Sequence, residues 1–458
     1  MMVTLSPAAV IRPEPGGALL FQRETAETAL LDLEGLDALY FLLALTPRPS
    51  PENGRGVGGE GQSRATRRAR DYPVFFANYL RQRGFIIPGR PDGALAVVEA
   101  VRDAAPTTTA PPHSLSVPET IHFSVTGCCD QACAGCFYSA HPPGAGPQGL
   151  AGSDITATHA PFPLFEQVVR QAEQARVFQI ALGGGEPLLH PQLVEMVRLA
   201  HAHSLVPNLT TNGNRLTREL ALALKEAGVG QVQISLNGAD EATNARTRPN
   251  FAAALRALEI CRDAGLRFGL NFLLTRSSLP GLADVVELGR RLDAESVNLL
   301  RPKPPVTDDG WLARESPGPE DYRRVKRILR ELRGKTGATR ITLDASLTFL
   351  LTDTPPDRLY RAGVWGCCAA RKFVTVLQDG RVLPCSHVRQ SDVGGGDFVR
   401  AWRESRLFAR FRSLEETMRG PCRACASLPV CRGCPAVVMA FGGEMGDSDP
   451  QCPWGKAD

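Results

Sequence analysis

The chain has 458 residues, 43% of them hydrophobic and 22% charged, a balance that suits a folded globular protein and excludes wholesale disorder. Its 52 basic and 48 acidic residues leave a net charge of +4, too even for an electrostatic footprint on nucleic acid. No apolar run approaches bilayer length, and Met1 to Ala9 lacks the basic and apolar blocks of a secretory signal, so a cytoplasmic location without a membrane partner is expected.

Residues 1–100 read as a small α+β unit. Gly17 to Gln22 and Thr28 to Leu33 have strand character, Glu24 to Glu27 is a polar turn, and Leu36 to Leu45 is an apolar helix. A Gly/Pro-rich insertion covers 46–72, and a helix is expected over Pro73 to Gly84. Residues 88–117 carry Pro106, Pro111, Pro112 and several threonines and read as a connection, with the linker proper at 101–117.

From 118 to 345 the pattern alternates. Strands are expected at Ile121 to Val125, Phe178 to Leu182, Val206 to Thr210, Gln231 to Leu236, Phe268 to Leu274 and Ser296 to Leu300. Helical stretches lie between most of them, from Leu164 to Arg176 through Leu282 to Leu292. Six such units predict a parallel sheet with crossover helices, closer to a partial (β/α)6 barrel than to a complete one. In a barrel of this kind the chemistry sits just after the strands. Residues 346–458 are rich in Cys, Gly, Arg and Pro, with one helix expected from Phe398 to Met418, and metal is expected to supply what packing does not.

The 13 cysteines point the same way. Four fall between Cys128 and Cys136, eight between Cys367 and Cys452, and Cys261 stands alone in a helical stretch as a buried apolar residue. An odd, clustered set without a signal peptide argues for metal rather than disulfides. After the first strand, Cys129, Cys133 and Cys136 make C-x3-C-x2-C. Three thiolates on a tight loop suit three irons of a [4Fe-4S] cluster, leaving the fourth iron for a small molecule with an amine and a carboxylate. A zinc site on the same thiols is the alternative. Cys128 reads as a spare thiol beside the set.

This stretch resembles the cluster loop of radical S-adenosylmethionine (SAM) enzymes. Gly183-Gly-Gly-Glu-Pro after the second strand is similar to that family's glycine-rich segment, which implies that Gly184, Gly185 and Glu186 receive the SAM amino group. Thr210-Thr-Asn-Gly resembles another family segment, Ser235 matches a position contacting SAM polar groups, and Arg246 or Arg248, with Arg246 favoured, would take the carboxylate. The resemblance implies a reaction in which one electron splits SAM into methionine and a 5′-deoxyadenosyl radical that removes hydrogen from the substrate. A flavodoxin or ferredoxin would donate the electron.

The C-terminal spacing also carries a resemblance. Cys368, then Gly380 followed after four residues by Cys385, then Cys422-x2-Cys425-x5-Cys431-x2-Cys434 and Cys452 resemble the SPASM extension, which holds auxiliary clusters. The family has three residues where this chain has Arg432 and Gly433. By resemblance Cys422, Cys425, Cys431 and Cys452 hold one cluster and Cys368, Cys385 and Cys434 the other, completed by Cys367 or left open. Two C-x2-C pairs also suit a zinc ribbon. Residues 12–45 and 75–86 resemble the PqqD-like winged-helix element of ribosomal-peptide maturases, which binds a precursor's leader as an added strand; the 46–72 insertion stands where that element has a helix. Together these features predict a radical SAM and SPASM peptide maturase. The alternatives are a radical SAM enzyme of a small-molecule or cofactor pathway, and a zinc-stabilised peptide-binding protein without catalysis. The basic stretch Tyr322 to Arg333 reads as a solvated helix face, and His190 and His387 as structural histidines near the sites.

Overall fold

The computed structural model describes residues 3–44, 74–89, 93–104, 114–138, 158–305 and 310–454. The chain divides into two compact units, Met1–Ser116 and Val117–Asp458. The insertion expected at 46–72 lies outside the described residues.

In the first unit, β1 (Val3–Leu5) pairs antiparallel with β5 (Ile86–Pro88), and β2 (Ala9–Glu14), β3 (Gly17–Gln22) and β4 (Glu27–Asp32) form an antiparallel sheet in that order. β3 is central and buried along its length, because the run Ala18-Leu-Leu-Phe has partners on both sides. Helices Leu33–Ala44, Val74–Gln82 and Ala94–Ala104 accompany the sheet, and Leu20, Leu31, Leu39, Leu80, Phe85 and Val98 share one core. The helix at 94–104 corrects the expectation of a plain linker over 88–117. Val98 and Val101, one turn apart, are its buried face, a signal masked by the prolines around it. A buried pair, Arg12 Nε to Glu14 Oε1 at 2.6 Å, tightens β2, and Glu14 also accepts from Ser116 N at 2.7 Å.

In the second unit the six expected strands are present as β6 (Thr120–Thr126), β7 (Gln179–Gly184), β8 (Val206–Thr211), β9 (Gln231–Ser235), β10 (Phe268–Leu273) and β11 (Ser296–Leu300), parallel and in sequential order. The intervening helices are amphipathic; Phe162–Gln174, for example, buries Phe165, Val168, Val169 and Ala172. Two further strands extend the sheet. β12 (Arg340–Leu343) adds parallel to β11, and β13 (Phe373–Val376) adds parallel to β6, followed by antiparallel β14 (Val382–Leu383). The Cys-rich region is thus tied to the barrel sheet through β13, and the boundary expected at 345–346 falls inside one compact unit. The single helix expected from Phe398 to Met418 is three short ones, since Ser405 ends the first and caps the second by accepting from Phe408 N at 3.2 Å. No helix among the described residues is long and apolar enough to cross a membrane.

Candidate functional site

A cavity of about 390 Å³ opens at the C-terminal ends of β6 to β11. Cys129, Cys133 and Cys136 line it, together with Gly183–Glu186, Thr211, Asn212, Ser235, Asn237 and Arg248. These residues come from four successive strand ends, which is how a parallel sheet concentrates side chains that are far apart in sequence.

Backbone hydrogen bonds fix the thiol loop. Thr126 Oγ1 accepts from Cys128 N at 3.0 Å, and Cys128 O accepts from Glu186 N at 2.7 Å. Gly185 N donates to Thr126 O at 2.7 Å. Gly184 has φ +110°, and a Cβ there would overlap Thr126 O, so a glycine is required where β7 passes β6. Gly135, at φ +66°, lies flat under the Trp311 ring, which leaves no room for a side chain. Asp130 accepts from Asn212 Nδ2 at 2.8 Å and from Arg215 Nε at 3.1 Å, tying the loop to the end of β8.

Glu186 is almost wholly buried. Its Oε1 accepts from Leu188 N at 3.0 Å and Thr211 Oγ1 at 2.5 Å, and its Oε2 from Asn212 N at 2.7 Å. Burial raises its pKa to about 7 against those three donors. The carboxylate therefore joins β7 to β8, with one lone pair uncommitted for a ligand ammonium. Ser235 ends β9 on the cavity wall. The preference for Arg246 is corrected. Arg246 is exposed, caps the helix Glu241–Ala245 and reaches Ser277 O at 3.5 Å, outside the cavity. Arg248, two residues on, lines the cavity, donates to Gln131 Oε1 at 3.3 Å, and holds its Nε buried without a partner. An orphaned guanidinium donor beside three thiols is where an anionic ligand group fits.

Burial pushes the Cys129 thiol up to about 12, and nearby Glu186, Cys133 and Cys136 add to the rise. Cys133 is raised by burial too, against the opposing charge of Arg248. Thiols so placed become thiolates when a metal supplies positive charge. Among the described residues no three His, Cys, Asp or Glu side chains are spaced for one metal ion. The donor set, the cavity before it and the orphaned arginine fit a thiolate-held cluster with a small zwitterionic ligand.

The C-terminal thiols fall into two groups. Cys452 has Cys422 and Cys425 within electrostatic reach, and Cys431 has Cys452 and Cys422. Burial lifts Cys431 to about 12 and Cys452 to about 11. The second group departs from expectation. Burial and the neighbouring Cys434 and Cys385 raise the Cys367 thiol, whereas Cys368 turns to Gly366 O at 3.1 Å and has Lys372 and Arg432 beside it. The Cys367 thiol thus has Cys385 and Cys434 among its neighbours, and the Cys368 thiol donates to Gly366 O. Burial raises Cys385 to about 12, with Cys434 contributing.

Several residues gave no sequence signal. Arg301, at the end of β11, is fully buried and forms a bidentate pair with Asp449, at 2.7 Å for both contacts, while Asp449 Oδ2 accepts from Cys434 N at 3.0 Å. Lys303 donates to Asp344 at 2.5 Å and Ser346 Oγ at 2.9 Å on the same cavity wall. Arg432 pairs with Glu415 at 2.9 Å and donates to the carbonyls of Trp365 and Cys367. None belongs to a local motif; each partner lies far along the chain.

Comparison with known proteins gives a consistent frame. Residues 123–278 match the radical SAM superfamily. The chain is 25% identical over 355 residues to an AdoMet-dependent heme synthase of Methanosarcina barkeri, covering 74% of this chain and 97% of that protein. It is 28% identical over 309 residues to the PqqA peptide cyclase of Rhodopseudomonas palustris, covering 63% and 77%. Among solved structures, Streptococcus suis SuiB bound to S-adenosylmethionine superposes with a TM-score of 0.67 at 17% identity, over 98% of this chain and 99% of that one. SuiB bound to its precursor peptide SuiA gives a TM-score of 0.65 at 16% identity, over 98% of this chain and all of that one.

Proposed function

We propose that the chain is a radical SAM peptide maturase with two auxiliary clusters in a SPASM-type C-terminal region, a reading that starts from the match of residues 123–278 to the radical SAM superfamily. The observation that carries the reading is the convergence of Cys129, Cys133, Cys136 and Arg248 on one cavity. The three thiols hold the first cluster. That cluster would supply one electron for reductive cleavage of S-adenosylmethionine, the source of the radical that would take hydrogen from the substrate. Arg248 Nε takes the SAM carboxylate, Gly184 and Gly185 let the backbone approach its amino group, and the last lone pair of Glu186 accepts from that ammonium. Ser235 meets its polar groups. Cys422, Cys425, Cys431 and Cys452 hold one auxiliary cluster; Cys367, Cys385 and Cys434 hold the other. A flavodoxin or ferredoxin supplies the electron.

The peptide as substrate draws support from the PqqA cyclase relative and from the antiparallel sheet of the N-terminal unit, whose edge strands β2 and β4 suit strand addition by a leader. The product is then a thioether, a carbon–carbon crosslink or an oxidised side chain. The heme synthase relatives favour a second reading, a small-molecule substrate with the N-terminal unit only structural.

Anaerobic reconstitution should give about three four-iron clusters per chain, and dithionite should then yield 5′-deoxyadenosine from SAM. The triple variant Cys129→Ala, Cys133→Ala, Cys136→Ala should lose that activity entirely; retained cleavage overturns the site. Removing residues 1–116 should abolish precursor-peptide binding under the first reading. Turnover of a porphyrin-type substrate that survives the truncation selects the second.

A further inference from the structure

The segment after the first thiol loop meets the segment of an auxiliary thiol at one side chain. Phe137 follows Cys136 directly, and its ring lies 4.5 Å, centroid to centroid, from the imidazole of His387. On its other side His387 Nδ1 lies 3.3 Å from Cys385 Sγ and 3.3 Å from Ser386 Oγ. The join is braced twice more: Arg389 donates to Phe137 O, and Tyr138 OH donates to Gln378 Oε1 at 2.5 Å. His387 also lines the cavity.

Resting on the auxiliary cluster proposed above, we propose that His387 is a positioning residue which donates Nδ1–H to the Cys385 sulfur and holds that ligand against the Phe137 end of the first thiol loop. The direction of the hydrogen bond follows from ligation. A sulfur bonded to iron carries no proton and only accepts, so Nδ1 is the protonated nitrogen. Reduction adds one electron to the cluster and breaks no bond. The extra negative charge spreads onto the sulfurs and strengthens the bond from Nδ1, so His387 favours the reduced form.

The test is a redox titration of the reconstituted full-length chain followed by electron paramagnetic resonance. His387→Phe keeps the ring against Phe137 and removes the donor. It should lower the reduced-to-oxidised ratio of one auxiliary cluster about tenfold at a fixed potential, a midpoint shift of about 59 mV, and leave the first cluster unmoved. His387→Gln restores an N–H donor and should return most of the shift. A purely packing role would lower iron content without moving a midpoint. Equal midpoints for wild type and His387→Phe, or equal depression in both variants, overturn the assignment. If His387→Phe fails to load, His387→Gln decides: a wild-type midpoint supports the proposal and a depressed one overturns it. A wild-type chain that loads only one cluster overturns the auxiliary reading itself and this assignment with it.

Discussion

The chain organises its thiols in two different ways. The loop at 127–136 is held largely by backbone hydrogen bonds at strand ends, Gly185 N to Thr126 O, Glu186 N to Cys128 O and Cys128 N to Thr126 Oγ1, with one half-exposed ion pair, Asp130 with Arg215. The region from 367 to 452 has few strand ends to use. There the thiol-bearing segments are pinned by buried ion pairs, Arg301 with Asp449 and both Arg371 and Arg432 with Glu415. Regular structure gives a metal loop its shape at little electrostatic cost, whereas irregular structure relies on desolvated charges that must stay paired.

The largest effect that sharpens this contrast is on metal content. Cys367→Ala should lose about four irons per chain, one cluster of the three, because Cys367 sits with Cys385 and Cys434. Cys368→Ala should keep them all, since that thiol faces Gly366 O. Iron and sulfide analysis of anaerobically prepared protein reads both. The reverse pattern would restore the pairing read from spacing. Next in size is stability. Arg301→Met leaves Asp449 charged and buried, and should cost about 3–5 kcal/mol. Asn212→Ala removes one hydrogen bond to Asp130 in the first loop and should cost about 1 kcal/mol. Denaturant unfolding of the metal-free chain measures both, and equal losses would erase the distinction between the two regions.

What the sequence made legible was local. Cys129, Cys133 and Cys136 lie within one loop and were legible from their spacing, and Gly184 to Glu186 lie within one turn and were legible from a family resemblance; all six line the cavity. The six central strands each carry their own apolar run. What escaped needed geometry across the chain. Arg246 and Arg248 are equivalent in composition, and only the short helix Glu241–Ala245, which spends Arg246 at its end, delivers Arg248 inward. Cys367 has Cys385 and Cys434 among its neighbours, whereas the adjacent Cys368 donates to Gly366 O. β13 is four residues long and is a strand because β6 offers it an edge. Arg301 and Asp449 are 148 positions apart, and no period or motif relates them.

The smallest effect probes the seam between the two regions. His122 on β6 stacks on Phe373 of β13, ring centroids 4.5 Å apart, and this contact is neutral where the neighbouring ones are ionic. Burial lowers its pKa from 6.5 to about 4. Between those values the unfolded chain binds a proton that the folded chain refuses, so this residue makes stability fall as pH drops from 6.5 towards 4, by at most about 1.4 kcal/mol per pH unit. Above 6.5 it has no effect, and below about 4 its contribution to the slope vanishes. His122→Phe keeps an aromatic ring against Phe373 and cannot be protonated. Its midpoint of denaturation should match wild type near pH 7.5 and exceed it near pH 5. Parallel curves across that range would mean that the seam is reached by solvent and that the neutral contact does not join the two regions.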